Sequence, residues 1–226
     1  MSVEKLKKAV DNEDILRLAL LLKGASKPDI SETLLYTTTR DRELPHVVTM
    51  LVEHGADVNV EKLDRKNEHG KTSLHFSCIN GYEACARILI SQGADVNSKD
   101  EHGWTPMQYA CNEGYKGCLK ILLDCEANLH TRDRSGRTPL HSACDQASLE
   151  CMKMLISQGA DVNAVDDFNE SPLHMASRWG YMDGVKLLVK SGANIDIENT
   201  DGDTALVLAR ENNNIRVVKF LEKIHP

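Results

Sequence analysis

Gly70, Gly103, Gly136 and Gly202 lie on a grid of 33 residues whose one missing glycine is Asn169. A self-similar period of that length specifies small supersecondary units stacked along one dimension. Such an array presents a long surface and needs no single large core, so function is to be sought along a surface rather than in a pocket. Asparagine tolerates left-handed backbone better than most residues, so Asn169 fits the same turn.

The register extends well beyond glycine. Thr72, Thr105, Thr138, Ser171 and Thr204 form one column. Leu74, Met107, Leu140, Leu173 and Leu206 form a second, and His75, His141 and His174 a third, interrupted by Gln108 and Val207. Farther along each unit an apolar triplet recurs: Ile88-Leu89-Ile90, Ile121-Leu122-Leu123, Met154-Leu155-Ile156 and Leu187-Leu188-Val189. Gly-Ala-Asp-Val-Asn or a near variant follows at Gly93 to Asn97, Gly159 to Asn163 and Gly192 to Asp196.

Each unit begins with a turn at the glycine grid. A helix starts just after it, with Pro106, Pro139 and Pro172 in the first turn, where no amide donor is needed. Gly81-Tyr82, Gly114-Tyr115 and Gly180-Tyr181 break that helix after about two turns. A second helix carries the apolar triplet and ends in a left-handed cap. The pattern therefore predicts two short antiparallel helices and a projecting turn per unit.

Thr138-Pro139-Leu140-His141, Ser171-Pro172-Leu173-His174 and Gly159-Ala160-Asp161-Val162-Asn163 resemble the signature of the ankyrin repeat, over nearly the whole chain. The resemblance implies an all-α repeat solenoid of stacked helix-turn-helix units with projecting β-hairpin fingers. Seven units are expected in one domain over 1–226: an N-terminal cap at 1–27, then 28–65, 66–98, 99–131, 132–164, 165–197 and a C-terminal cap at 198–226. Leu6, Ala9, Ile15, Leu18 and Leu22 give the first unit an inner face, as Val217, Val218 and Leu221 do the last. It also implies a structural hydrogen bond near the finger for His75, His141 and His174. Asn59, Asn97 and Asn163 resemble asparagines that are hydroxylated in this family.

Three departures stand out. Five extra residues enlarge the finger before Gly70, and the charged stretch Val60 to Arg65 should protrude as a tolerated insertion or a contact loop. The second unit is degenerate, with Thr37-Thr38-Thr39 and Arg40-Asp41-Arg42-Glu43 in place of small apolar residues and a glycine pair. Glu126 stands where Gly93 and Gly159 stand, and a left-handed backbone there costs on the order of 1 kcal/mol.

Composition narrows the function. Aromatics are only 4%, thin for a globular enzyme core. The net charge of −7 argues against general nucleic-acid affinity, which needs basic surface. No stretch approaches the roughly 20 apolar residues of a membrane span, and the N-terminus lacks a signal-peptide apolar core. The expected location is cytoplasmic, with the nucleus as a second compartment.

Cys78, Cys111 and Cys144 form one column and Cys85, Cys118 and Cys151 another. Equivalent helices of neighbouring units pack about 8–10 Å apart, too far for a disulfide within a column. Within a unit, Cys78 could approach Cys85 and Cys111 could approach Cys118. With no Cys-x-x-Cys pair, these read as buried reduced thiols, leaving Cys125 as the exposed one. The repeated histidines lack a converging nucleophile and acid, His69 and His102 belong on fingertips, and no phosphate loop or hydrolase motif is present. No catalytic residue, cofactor or metal is expected.

In ankyrin-repeat proteins the partner usually lies along the concave side, touching fingertips and the ends of the first helices. Carried over, the fingertip column is Lys71, Trp104, Arg137, Glu170 and Asp203. The helix-end column is Ile79-Asn80, Asn112-Glu113, Asp145-Gln146, Arg178-Trp179 and Glu211-Asn212. Both tryptophans of the chain fall at these variable positions, with His102, Arg134 and Phe168 around them; exposed indoles are frequent binding hot spots. The fingertip charges run from basic to acidic, which suits a partner of graded charge. The expected function is a non-catalytic protein–protein interaction module, monomeric before partner binding, acting as adaptor, inhibitor or assembly chaperone. The alternative is a scaffold fragment of a larger regulatory or catalytic protein.

Overall fold

The computed structural model describes residues 2–61 and 70–224. Among these residues the secondary structure is helical, in consecutive pairs. The first helices are α1 (Val3–Asp11), α3 (Lys27–Thr38), α5 (Ser73–Asn80), α7 (Pro106–Asn112), α9 (Pro139–Asp145), α11 (Pro172–Arg178) and α13 (Ala205–Glu211). The second helices are α2 (Ile15–Leu22), α4 (Pro45–Glu53), α6 (Glu83–Ser91), α8 (Lys116–Asp124), α10 (Leu149–Ser157), α12 (Met182–Lys190) and α14 (Ile215–Ile224).

Every first helix packs on its own second helix and on the first helices beside it, while second helices pack on second helices. The result is a two-layer solenoid whose core runs unbroken from Leu6 to Leu221. Small residues in register, Ser77, Ala110, Ala143, Ala176 and Ala209, let the first helices approach closely. The leucine column beside them is sealed at Leu74, Met107, Leu140 and Leu173, and Leu206 is partly buried.

The turns follow the expected chirality. Gly81 has φ +73°, and a Cβ there would meet the Tyr115 ring of the next unit at 2.6 Å, so both conformation and contact require glycine. Glu126 keeps the left-handed cap at φ +55°, as does Asn169 on the glycine grid at +58°.

The expected β-hairpin fingers are not seen as paired strands: no strand forms among the described residues, and one isolated antiparallel bridge joins Glu198 to Thr204. From Asp100 onward each described finger is a tight turn closed by two backbone bonds, in the first case Asp100 N–H to Trp104 O (3.0 Å) and Gly103 N–H to Asp100 O (2.9 Å). Asp133, Asp166 and Asn199 repeat the pattern. The chain enters the next helix within two residues of closing the turn, leaving no length for a ladder. Successive fingers are tied by Arg134 N–H to His102 O (3.0 Å), Asp167 N–H to Ser135 O (3.0 Å) and Thr200 N–H to Phe168 O (2.9 Å).

In the degenerate second unit, α3 runs 12 residues, and the Thr33 and Thr37 hydroxyls donate to carbonyls four residues back. The charged link after α3 clasps the first unit, Arg40 to Asp11 (3.3 Å) and Arg42 to Glu13. Of the enlarged finger, positions 62–65 lie outside the described residues, as does His69.

Candidate partner-binding edge

The edge is built at the two ends of each first helix. At the amino end the histidine column performs one repeated task. The Thr72 N–H donates to His75 Nδ1 (3.0 Å), which leaves Nε2 as the protonated nitrogen donating to Trp104 O (3.1 Å) on the next finger. Thr138 and His141 reach Glu170 O (3.0 Å), and Ser171 and His174 reach Asp203 O (3.2 Å). Gln108 does the same with an amide, its Oε1 accepting from Thr105 N–H (3.0 Å) and its Nε2 donating to Arg137 O (3.1 Å). Burial holds His75 down to about 4 against the upward pull of that carbonyl, and lowers His141 and His174 too. These rings are neutral struts.

A further column carries the fingers. Asp100 Oδ1 accepts the N–H groups of His102 and Trp104, both at 2.9 Å. Asp133 serves Ser135 and Arg137, Asp166 serves Phe168 and Glu170, and Asn199 serves Asp201 and Asp203. These four residues sit three positions before the glycine grid, so the same 33-residue spacing could have exposed them. They determine which side chains the edge can offer.

The fingertip column is not uniformly open. Lys71 is only 9% exposed, with Nζ 3.7 Å from Asp100 Oδ2 and above the Tyr109 ring. Trp104 is half-buried, tilted on Tyr109 with centroids 5.0 Å apart. The Tyr109 hydroxyl donates to Asp100 Oδ2 (2.7 Å); burial and that carboxylate raise its pKa well above the usual phenol range. Arg137 is half-buried with Nε 3.4 Å from Asp166 Oδ2. Glu170 is 6% exposed and held on both oxygens by Arg178. Burial pushes the Glu170 carboxyl up, but the Arg178 guanidinium outweighs it and leaves the group below the usual carboxylate range. The basic residues of the graded ladder are therefore engaged with acids of the fold, and the gradient does not reach solvent as a gradient.

The helix-end column is more open. Trp179 is 62% exposed, and its indole N–H donates to Asp145 Oδ1 across the unit boundary (2.8 Å). Asp145 and Asn112 are half-buried, and Glu113, which accepts from Asn112 Nδ2 (2.9 Å), is exposed. Phe168, His102 and Arg134 are exposed on the fingertips. The Glu170–Arg178 pair joins finger to helix end, the Trp179–Asp145 bond continues it across the unit boundary, and Phe168 stands two residues before Glu170 on the same finger. In the fingertip column Arg137 lies one unit before Glu170, Trp104 two and Lys71 three.

The tail asparagines stitch units together: Asn59 reaches Gly93 O (3.0 Å) and Asp95 N–H (2.8 Å), and Asn163 reaches Gly192 O (3.2 Å) and Asn194 N–H (2.7 Å). Asn97 accepts from Asn128 N–H at 2.8 Å. Among the cysteines, Cys118 Sγ donates to Ser77 O (3.8 Å), and the thiols that face each other are Cys78 with Cys118 and Cys111 with Cys151, one unit apart rather than within a unit. All seven are free, and Cys125 is exposed. Burial pushes Cys85 up to about 12. Among the described residues no three His, Cys, Asp or Glu side chains gather as a metal site, and no helix is long and apolar enough to cross a membrane.

Over 48 residues the chain is 46% identical to protein phosphatase 1 regulatory subunit 27 of Homo sapiens and, equally, of Mus musculus. That match covers 21% of this chain and 28% of each relative. The family described as ankyrin repeats (3 copies) matches at residues 6–100, 98–166 and 159–225. With the repeated helix pairs, the left-handed caps and the histidine struts, that near-complete match places this chain in the ankyrin-repeat family.

Proposed function

We propose that this chain is a non-catalytic interaction module that binds a protein or peptide partner along its fingertips and first-helix ends, as an adaptor, inhibitor or assembly chaperone, in the cytoplasm and the nucleus. Ankyrin repeats generally mediate protein–protein interaction. The observation that carries the reading is Trp179, a tryptophan 62% exposed yet oriented by a hydrogen bond to Asp145. A large apolar side chain fixed in solvent costs little to order on binding, which is what a hot spot requires. The repeated histidines His75, His141 and His174 are absorbed by the finger struts and the columned cysteines by the helix interfaces, which supports a role without catalysis. The phosphatase regulatory subunit that is 46% identical to this chain over 48 residues is compatible with a binding role, and with the second reading, a scaffold portion of a larger regulatory protein.

The test is affinity capture with wild-type protein, Trp179→Ala and the Trp104→Ala/Trp179→Ala double variant, with melting curves for each. A bound protein lost in the folded variants identifies the partner. Retention of every bound protein by both folded variants rejects this edge as the binding site.

A further inference from the structure

The carboxyl end of a helix carries partial negative charge, so acids are disfavoured there and bases favoured. Along this edge the rule is broken repeatedly. Glu113 caps α7, Asp145 ends α9 and Glu211 ends α13. Arg178 ends α11 as the rule asks, but Glu170 holds its guanidinium on both carboxylate oxygens. Arg137 is likewise turned to Asp166. An acidic partner would find these guanidinium groups already taken, whereas a basic one meets acids that the helix ends leave unfavourably placed.

Trp179 stands in the middle of that field. Its N–H is fixed on Asp145 Oδ1 at 2.8 Å, and Phe168, 58% exposed, stands on the finger two residues before Glu170, which Arg178 ties to the end of α11. An open indole face beside a carboxylate attracts a cation through the ring quadrupole and through direct charge. We propose that Trp179 and Asp145, flanked by Phe168, seat a lysine or arginine side chain from a basic segment of the protein partner. The net charge of −7 draws the same class of partner to the surface. This seat rests on the reading of the edge as partner-binding.

The experiment follows the Trp179 indole 1H–15N resonance, assigned by its loss in Trp179→Phe, at low salt. The probes are short peptides alternating Arg with Gly, Lys with Gly, and Glu with Gly. The basic peptides are expected to shift the resonance saturably and the acidic one not at all. Asp145→Asn should weaken binding about tenfold, with melting unchanged or slightly raised. Asp124→Asn, which removes the same charge at the end of α8, is expected to leave it within about twofold. Equal weakening by the two variants, equal binding of the acidic peptide, or no shift with any basic peptide overturns the seat. Partner capture that still requires Trp179 while basic peptides fail overturns the seat and keeps the edge. Capture indifferent to both tryptophans overturns the edge itself.

Discussion

The two ends of each first helix differ in kind. At the amino end, the N-cap threonine or serine and the His or Gln three residues on repeat one hydrogen-bond pattern in four successive units, from α5 to α11, with every member buried. At the carboxyl end, Asn80, Asn112-Glu113, Asp145-Gln146 and Arg178-Trp179 share neither chemistry nor exposure. Stacking needs an identical joint at the finger, whereas the other end meets solvent and can carry a message. Substitutions at the two ends should therefore separate cleanly, stability at the first and binding at the second.

The largest expected effect lies beside the joint. Leu140, 1% exposed in α9, packs in the continuous core, and Leu140→Ala should cost about 2–5 kcal/mol through lost burial and a cavity. Chemical denaturation measures it, and a wild-type midpoint for that variant would contradict the packing.

Next comes the acid limb of stability. His75 is neutral in the fold down to about pH 4 because it is buried, whereas in the unfolded chain it protonates near 6.5. Its contribution is complete above about pH 6.5 and is lost as pH falls towards 4, where the unfolded state binds the extra proton. For His75 alone the loss reaches about 3 kcal/mol, and His141 and His174, shifted the same way, add to it. Gln108 already shows that an amide can make both bonds. His75→Gln with His141→Gln and His174→Gln should keep most stability at neutral pH and flatten its decline between pH 6.5 and 4. An unaltered pH slope in that triple variant means that other groups drive the acid transition.

The tryptophans test whether both belong to the variable class. They look equivalent as sequence, each the only indole of its unit at a position the repeat leaves free. The Trp104 ring is half-buried on Tyr109, so Trp104→Ala should cost about 1–2 kcal/mol of stability as well as any binding. Trp179→Ala should change stability by no more than about 0.5 kcal/mol. Equal melting losses for the two would erase the distinction drawn here between the finger and the helix end.

That distinction also marks what was legible beforehand. Helix pairing, the leucine and cysteine columns and the turn at Asn169 follow from period and residue type, because every unit solves the same packing problem. The burial of Lys71 and Glu170 did not follow, since each depends on one partner in another segment, Asp100 for the lysine and Arg178 for the glutamate. A charge ladder written down a column assumes that each side chain points outward. The aspartates three positions before the grid, by turning inward to hold the finger amides, draw some of those charges in with them. Likewise the cysteine contacts run between units, as the stagger of first and second helices dictates and column spacing alone does not show.

The smallest effect concerns the caps of the second helices, where one unit departs from its neighbours without any contact to explain it. Gly93, Gly159 and Gly192 have φ of +86°, +91° and +90°, and a Cβ at any of them would touch nothing within 4 Å. The requirement for glycine there is torsional, so Glu126 at +55° bears a backbone strain of about 1 kcal/mol. Glu126→Gly relieves that strain but also frees the unfolded chain, which takes back part of the gain. The net expectation is a stabilisation of about 0.5 kcal/mol, with Gly159→Ala losing about 1 kcal/mol as its mirror image. Destabilisation by Glu126→Gly would show that the glutamate side chain holds this cap by something other than backbone preference, and would move Glu126 from the structural class to the variable one.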